Sequence, residues 1–180
     1  MPLHFPLSSA GDSLALMTAQ TSIHRTLTLP TPTATAALAE ALAPLLNKGD
    51  VLLLSGSIGA GKSYFARSLI RWRMARVDAL EDVPSPTFTL VQSYPLSDGE
   101  IWHADLYRLN DPSEIEELGL MEAFEDAICL VEWPDRLPDV PSTALSLDFT
   151  PGDSGDSRQL TIRGNAVWAT RLATILENTA

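Results

Sequence analysis

At 180 residues, with 45% apolar and 19% charged side chains, the chain is long enough for one globular domain with a real core and lacks the charge excess of a disordered polymer. Its net charge of -11 opposes binding to DNA or RNA through phosphate contacts by this chain alone, so any link to RNA is expected to run through partners. The single cysteine, Cys129, excludes an internal disulfide or a thiolate metal cage, and its apolar neighbours Ala127 to Val131 predict a buried thiol.

Residues 1–22 carry Pro, Ser, Thr and Gly with little periodicity and read as a loose extension, leaving 23–180 as one domain. The stretch Leu14 to Ala19 is too short for a signal and has no Lys or Arg before it, and no segment could span a bilayer; a cytoplasmic location is expected. Arg25 to Leu29 alternates as a strand. Pro30 and Pro32 break it before an Ala-rich helix over 33–47, with Leu38, Leu42, Leu45 and Leu46 on one face and Pro44 disturbing only the last turn. Gly49 and Asp50 turn the chain into a buried strand over 51–55, and a helix is predicted over 62–76.

Pro84-Ser85-Pro86 opens into an expected strand over 87–94, with Phe88, Leu90 and Tyr94 on one face, and a turn over 97–99 returns it as a strand over 101–105. Asp111-Pro112-Ser113-Glu114 has the signature of a helix start, with Gly119 as its stop. Ala127 to Glu132 reads as another buried strand. Two short strands, 144–149 and 159–163, flank a polar loop over 151–157, and Trp168, Leu172, Ile175 and Leu176 give a final helix its apolar face.

Between the strand at 51–55 and the following helix lies Gly56-Ser57-Ile58-Gly59-Ala60-Gly61-Lys62-Ser63, which fits the pattern G-x-x-x-x-G-K-[ST] at every fixed position. Glycines at these places let backbone amides curl around a phosphate chain, the helix points its positive end at that chain, and Lys62 reaches the β and γ oxygens. Ser63 is left to hold Mg²⁺. The expected fold is therefore α/β and P-loop NTPase-like, with a mostly parallel central sheet flanked by helices and antiparallel additions.

Hydrolysis also needs an acid to position Mg²⁺ and a group to orient water. Asp105 and Glu132 each end a predicted strand, and in a parallel sheet such ends gather on the side where the phosphate loop begins. Asp105 is the metal candidate and Glu132 the water-orienting or metal candidate. Thr87, after a double-proline turn, resembles a switch-loop hydroxyl that closes on phosphate and metal. His103 shares a strand face with Asp105 and reads as a hydrogen-bonded structural residue rather than a catalytic one. Arg67, Arg71 and Arg76 form a basic stripe on the helix after the loop, either a solvated face or a docking site for an acidic partner or RNA. Asn47-Lys48-Gly49-Asp50 formally matches a guanine-reading motif but precedes the phosphate loop, so it reads as a turn and ATP is favoured over GTP.

Four blocks in this order and spacing, Gly56 to Ser63, Ser85-Pro86-Thr87-Phe88, His103-Ala104-Asp105-Leu106-Tyr107-Arg108-Leu109 and Glu132-Trp133-Pro134-Asp135-Arg136, closely resemble the TsaE family, also called YjeE. The resemblance covers roughly residues 25–150. It implies the ATPase subunit of the bacterial machinery that places a threonylcarbamoyl group on an adenosine of tRNA, working on a TsaB and TsaD pair that grips the tRNA. By the same resemblance, Lys62 sits on the phosphates, Ser63 and Asp105 face Mg²⁺, Thr87 belongs to the switch loop, Glu132 acts in hydrolysis, and Trp133 lies beside the nucleotide pocket. Tyr64, next after the loop, is also expected among the nucleotide-binding residues. Many family members carry an acidic or amide residue where this chain has Ser57, and Thr where it has Ser63; the second exchange keeps the hydroxyl.

Two other readings share the loop. A small-molecule kinase needs an acceptor pocket and a basic lid, for which Arg108 or Arg136 are available. A nucleotide-dependent binding module would use Thr87 and its loop to report bound ATP, with hydrolysis incidental.

Overall fold

Val51-Leu52-Leu53-Leu54 is buried on both faces, and the sheet extends outward from it on either side. The structure, a computed structural model, describes residues 22–177; the extension expected over 1–22 lies outside them but for its last residue. In chain order the elements are β1 (Ile23–Leu29), α1 (Pro32–Leu42), β2 (Val51–Gly56), α2 (Lys62–Arg76), β3 (Val91–Leu96), β4 (Gly99–Asp105), α3 (Pro112–Glu116), α4 (Leu120–Asp126), β5 (Ile128–Glu132), β6 (Leu145–Pro151), β7 (Arg158–Gly164) and α5 (Ala166–Glu177).

The strands form one sheet in the order β1-β7-β6-β2-β5-β4-β3. Its centre, β6-β2-β5-β4, is parallel, while β1, β7 and β3 pair antiparallel at the edges. This is the expected mostly parallel α/β sheet with antiparallel additions. Alternation along β2 splits the core: Leu52 and Leu54 pack with the apolar faces of α1, α2 and α5, while Val51 and Leu53 pack with α3, α4 and the segment around Leu106 and Leu109. Among the described residues no helix is long and apolar enough to cross a membrane.

Local chemistry explains the boundaries. Thr31 caps α1 by accepting from the Ala34 amide at 3.1 Å, with Pro32 at the helix start. The helix expected over 33–47 stops at Leu42 and tightens into a 3-10 turn over Ala43–Leu45, because Pro44 cannot donate to the helical ladder. Arg73 of α2 adds to this turn: its guanidinium is buried and donates to Ala43 O and Leu46 O at 3.1 Å each and to Asp98 at 2.8 Å.

The strand expected over 87–94 is corrected. Residues 86–90 form a turn in which the Leu90 amide donates to Pro86 O at 2.7 Å, Leu90 takes φ +68°, and pairing with β4 begins only at Val91. Phe88 consequently stands 85% exposed instead of sharing a strand face with Leu90 and Tyr94. Gly119, read as a helix stop, has φ +69° and also starts α4, which has no predicted counterpart. The 47–50 segment is the turn that was expected: the Asp50 carboxylate accepts from the Asn47 amide at 2.7 Å and from Arg171 at 2.6 Å.

Candidate functional site

The C-terminal ends of β2, β5 and β4 lie side by side, with Leu54 opposite Glu132 and Glu132 opposite Asp105, so strand register alone delivers both acids beside the loop that leaves β2. That loop starts at a position only glycine fits. Gly56 has φ +134°, and a Cβ there would stand 2.3 Å from the Phe149 carbonyl oxygen of β6. At its other end Gly61 opens α2 without a side-chain cap, and among the described residues the amides of Gly59, Gly61, Lys62 and Ser63 donate to no protein acceptor. Such amides at a helix start make an anion cradle.

Arg158, at the start of β7, braces this loop from outside. Its Nε donates to Ala60 O at 2.9 Å and Nη2 to Gly59 O at 3.2 Å, while Nη1 donates to Gly155 O at 2.8 Å and Ser157 O at 2.7 Å. A trans peptide points its N–H opposite its C=O, so drawing Ala60 O outward turns the Gly61 amide away from Arg158. Lys62 is only 4% exposed. Its Nζ donates to Gly56 O at 2.8 Å and Ser57 O at 2.9 Å and lies 4.3 Å from the centroid of the Trp133 ring. Burial pulls the ammonium's pKa below its ordinary value, and the charges of Glu132 and Asp105 offset part of that.

The two acids make different contacts. Glu132 is 2% exposed; its Oε2 accepts from Ser63 Oγ at 2.9 Å and its Oε1 lies 2.9 Å from His103 Nε2. Asp105 accepts from Thr87 Oγ1 at 2.9 Å and from the Tyr107 amide at 3.0 Å, and Ser85 Oγ lies 2.9 Å from Thr87 Oγ1. Thus the turn over 86–90 seats Thr87 on the tip of β4. Ile58, Gly59, Lys62, Ser63, Thr87, Asp105, Glu132 and Trp133 line one cleft of about 240 Å³, and Tyr107 joins them through a ring contact to Trp133 at 4.8 Å.

Ser63, Thr87, Asp105 and Glu132 offer hydroxyl and carboxylate oxygens, the donor type Mg²⁺ takes. Among the described residues no group of three or more His, Cys, Asp or Glu could hold a metal by itself. Mg²⁺ fits such a sparse set because it keeps waters and takes phosphate oxygens beside one or two carboxylates.

Of the loop residues singled out in the sequence, Gly56 and Ser57 contribute carbonyls to Lys62, and Ala60 is buried behind the cradle. Tyr64 does not line that cleft but, with Gly59, Gly61, Pro32, Thr35, Asp156 and Arg158, a second cavity of about 320 Å³ along the same loop. A more apolar cavity of about 390 Å³ between α1 and α5 shares none of these groups. The basic stripe is engaged locally, Arg67 donating to Ser63 O at 3.2 Å, Arg71 pairing with Asp82 at 3.7 Å and Arg76 lying over the Trp72 ring. Arg108 lies 5.9 Å from the Phe88 ring centroid, and Arg136 donates to Asn110 at 3.1 Å. Sequence reasoning missed Tyr107 and Arg158, whose partners are carbonyls and rings that no local pattern announces.

The model of the family described as threonylcarbamoyl adenosine biosynthesis protein TsaE matches residues 29–160, more than half of the chain. Among curated proteins, one named tRNA threonylcarbamoyladenosine biosynthesis protein TsaE from Rickettsia conorii is 42% identical over 108 residues, covering 60% of this chain and 60% of its own length. The protein of the same name from Bacillus subtilis is 36% identical over 135 residues, covering 72% of this chain and 79% of its own. The chain thus spans about three fifths of the Rickettsia relative and more of the Bacillus one. A crystal structure of Bacillus subtilis YdiB superposes with a TM-score of 0.66 at 25% identity, covering 88% of this chain and 97% of that one.

Proposed function

The chain belongs to the TsaE family, and on that footing we propose that it binds ATP with Mg²⁺, hydrolyses it slowly, and serves threonylcarbamoyl modification of adenosine in tRNA by acting on a TsaB and TsaD partner complex in the cytoplasm. The observation that carries this reading is the convergence, in one cleft, of a free amide cradle, Lys62, the Ser63 hydroxyl and two strand-end carboxylates. The net charge of -11 agrees with a tRNA held by the partners and reached only through them.

In this mechanism the loop amides and Lys62 hold the phosphate oxygens, a cluster of positive dipoles fixed before substrate arrives. Ser63, Asp105 and Glu132 would hold Mg²⁺, which when bound neutralises charge on the phosphoryl group being transferred. Glu132 orients the attacking water and Thr87, seated on Asp105, brings its hydroxyl to the same side of the cleft. No covalent intermediate is required. Arg108 and Arg136, the arginines available for a kinase lid, are not among the residues lining the cleft, which favours water over a small-molecule acceptor.

The test is phosphate release from ATP·Mg²⁺ by the purified protein. Weak release that rises with the partner pair and tRNA, and no transfer to metabolites, is the expected result; stoichiometric phosphorylation of a small molecule favours a kinase instead. Glu132→Ala should keep nucleotide affinity and lose about 100-fold or more in turnover, while Lys62→Ala should lose affinity. Normal turnover in Glu132→Ala removes that residue from the mechanism.

A further inference from the structure

A fully buried imidazole needs a reason to be where it is, and His103, in the middle of β4, is 0% exposed. It stands two residues before Asp105 on the same strand face, one strand away from Glu132. Its Nε2 lies 2.9 Å from Glu132 Oε1, and its Nδ1 has no partner among the described residues. A carboxylate can only accept, so Nε2 carries the proton of this hydrogen bond. The Glu132 side chain is therefore held at both oxygens, by the imidazole at Oε1 and by Ser63 Oγ at Oε2.

We propose that His103 is a positioning residue: its Nε2–H fixes the direction of the Glu132 carboxylate, so that Oε2 is presented to Ser63 and the cleft. A glutamate has three freely turning side-chain bonds, and without the imidazole the Ser63 hydroxyl is the one side chain left bonded to its head among the described residues. The Ser63 hydroxyl cannot do this alone. It is among the groups that would hold Mg²⁺, whereas the imidazole contact at Oε1 lies on the other carboxylate oxygen. The inference rests on the hydrolytic role proposed for Glu132, but the geometric coupling between the two side chains can be tested without it.

The first measurement is on the protein without nucleotide. Histidine ¹⁵N–¹H spectra should show a slowly exchanging Nε2–H proton for His103 that shifts or exchanges faster in Glu132→Ala; an unchanged His103 signal in that variant overturns the coupling. The second is turnover in His103→Leu, which fills the space without a donor, and in His103→Gln, which restores one. His103→Leu should lower kcat about 10- to 100-fold, as loss of a supporting hydrogen bond behind a site group does, with ATP affinity within about threefold. His103→Gln should recover most of that loss. Placed in Glu132→Ala, His103→Leu should cause no further drop, whereas an equal drop in both backgrounds shows action elsewhere and overturns the proposal. Should His103→Leu fail to fold, the spectra still decide. Should Glu132→Ala keep full turnover while the His103 signal shifts, the hydrolytic role of Glu132 fails and the coupling stands.

Discussion

Lys62 Nζ lies 4.3 Å above the ring of Trp133, the residue that follows Glu132 and leaves β5 with φ +60°. The same ammonium is folded back onto Gly56 O and Ser57 O, and on the proposed function a phosphate entering the cleft would compete with carbonyls and indole for it. Trp133 should therefore report nucleotide. Intrinsic fluorescence of the wild type should change on adding ATP or ADP with Mg²⁺, and Trp133→Phe should remove most of that change although Trp72, Trp102 and Trp168 remain. A signal of equal size in Trp133→Phe would mean the reporter lies elsewhere.

Lys62 is held in the fold at a cost. Its pKa lies below the ordinary lysine value chiefly because burial strips water from the ammonium. Between that lowered value and 10.5 the unfolded chain binds more protons than the native one, so stability contributed by this group rises with pH through that window and is weakest below it. Lys62→Met should accordingly keep or raise the Tm of the nucleotide-free protein at pH 7 while abolishing ATP affinity, and its advantage should narrow as pH approaches 10. A clear fall in Tm at pH 7 would show the carbonyl bonds outweighing desolvation.

Much of the site was legible because its signals are local. The loop motif, the helix at Lys62–Arg76 and the ends of two buried strands follow from glycine spacing and apolar runs, and parallel register then brings Asp105 and Glu132 together. The turn over 86–90 escaped because Thr87, Phe88, Thr89 and Val91 favour strands, while the turn that ends at left-handed Leu90 carries the bond of Thr87 to Asp105, 18 positions on. His103 could be placed on the face of Asp105, but its bond to Glu132 spans 29 positions and appears only when β4 and β5 pair. Helix α4 lacks any side-chain cap, so nothing before Leu120 announces it.

Arg158 should matter for nucleotide grip out of proportion to its distance from the motif. Its guanidinium donates to four carbonyls, two of them in the phosphate loop. Arg158→Ala should weaken ATP or ADP affinity about tenfold, equal to about 1.4 kcal/mol, through loss of loop order, with Arg158→Lys restoring only part because an ammonium cannot span all four acceptors. Calorimetric titration measures this; unchanged affinity in Arg158→Ala would show that the loop keeps its shape unaided.

Cys129 offers a clean measure of unfolding. The thiol is 0% exposed in β5, and burial pushes its pKa up to about 12, with a smaller push from Glu100. At pH 8 alkylation of the native protein should be slower than that of the denatured chain by on the order of a thousandfold, because both thiolate and access are lacking. Mass spectrometry of iodoacetamide-treated protein along a urea series reads this out, and rapid labelling without urea would contradict the burial.

Ala60 and Arg158 are 98 positions apart, yet one hydrogen bonds the other. A ribosome finishes the motif long before it makes the arginine that braces it, and in between the nascent loop lacks that brace. Full grip on a nucleotide is therefore a late acquisition of synthesis, completed when the final hairpin closes, and it is withheld from any fragment that ends short of β7.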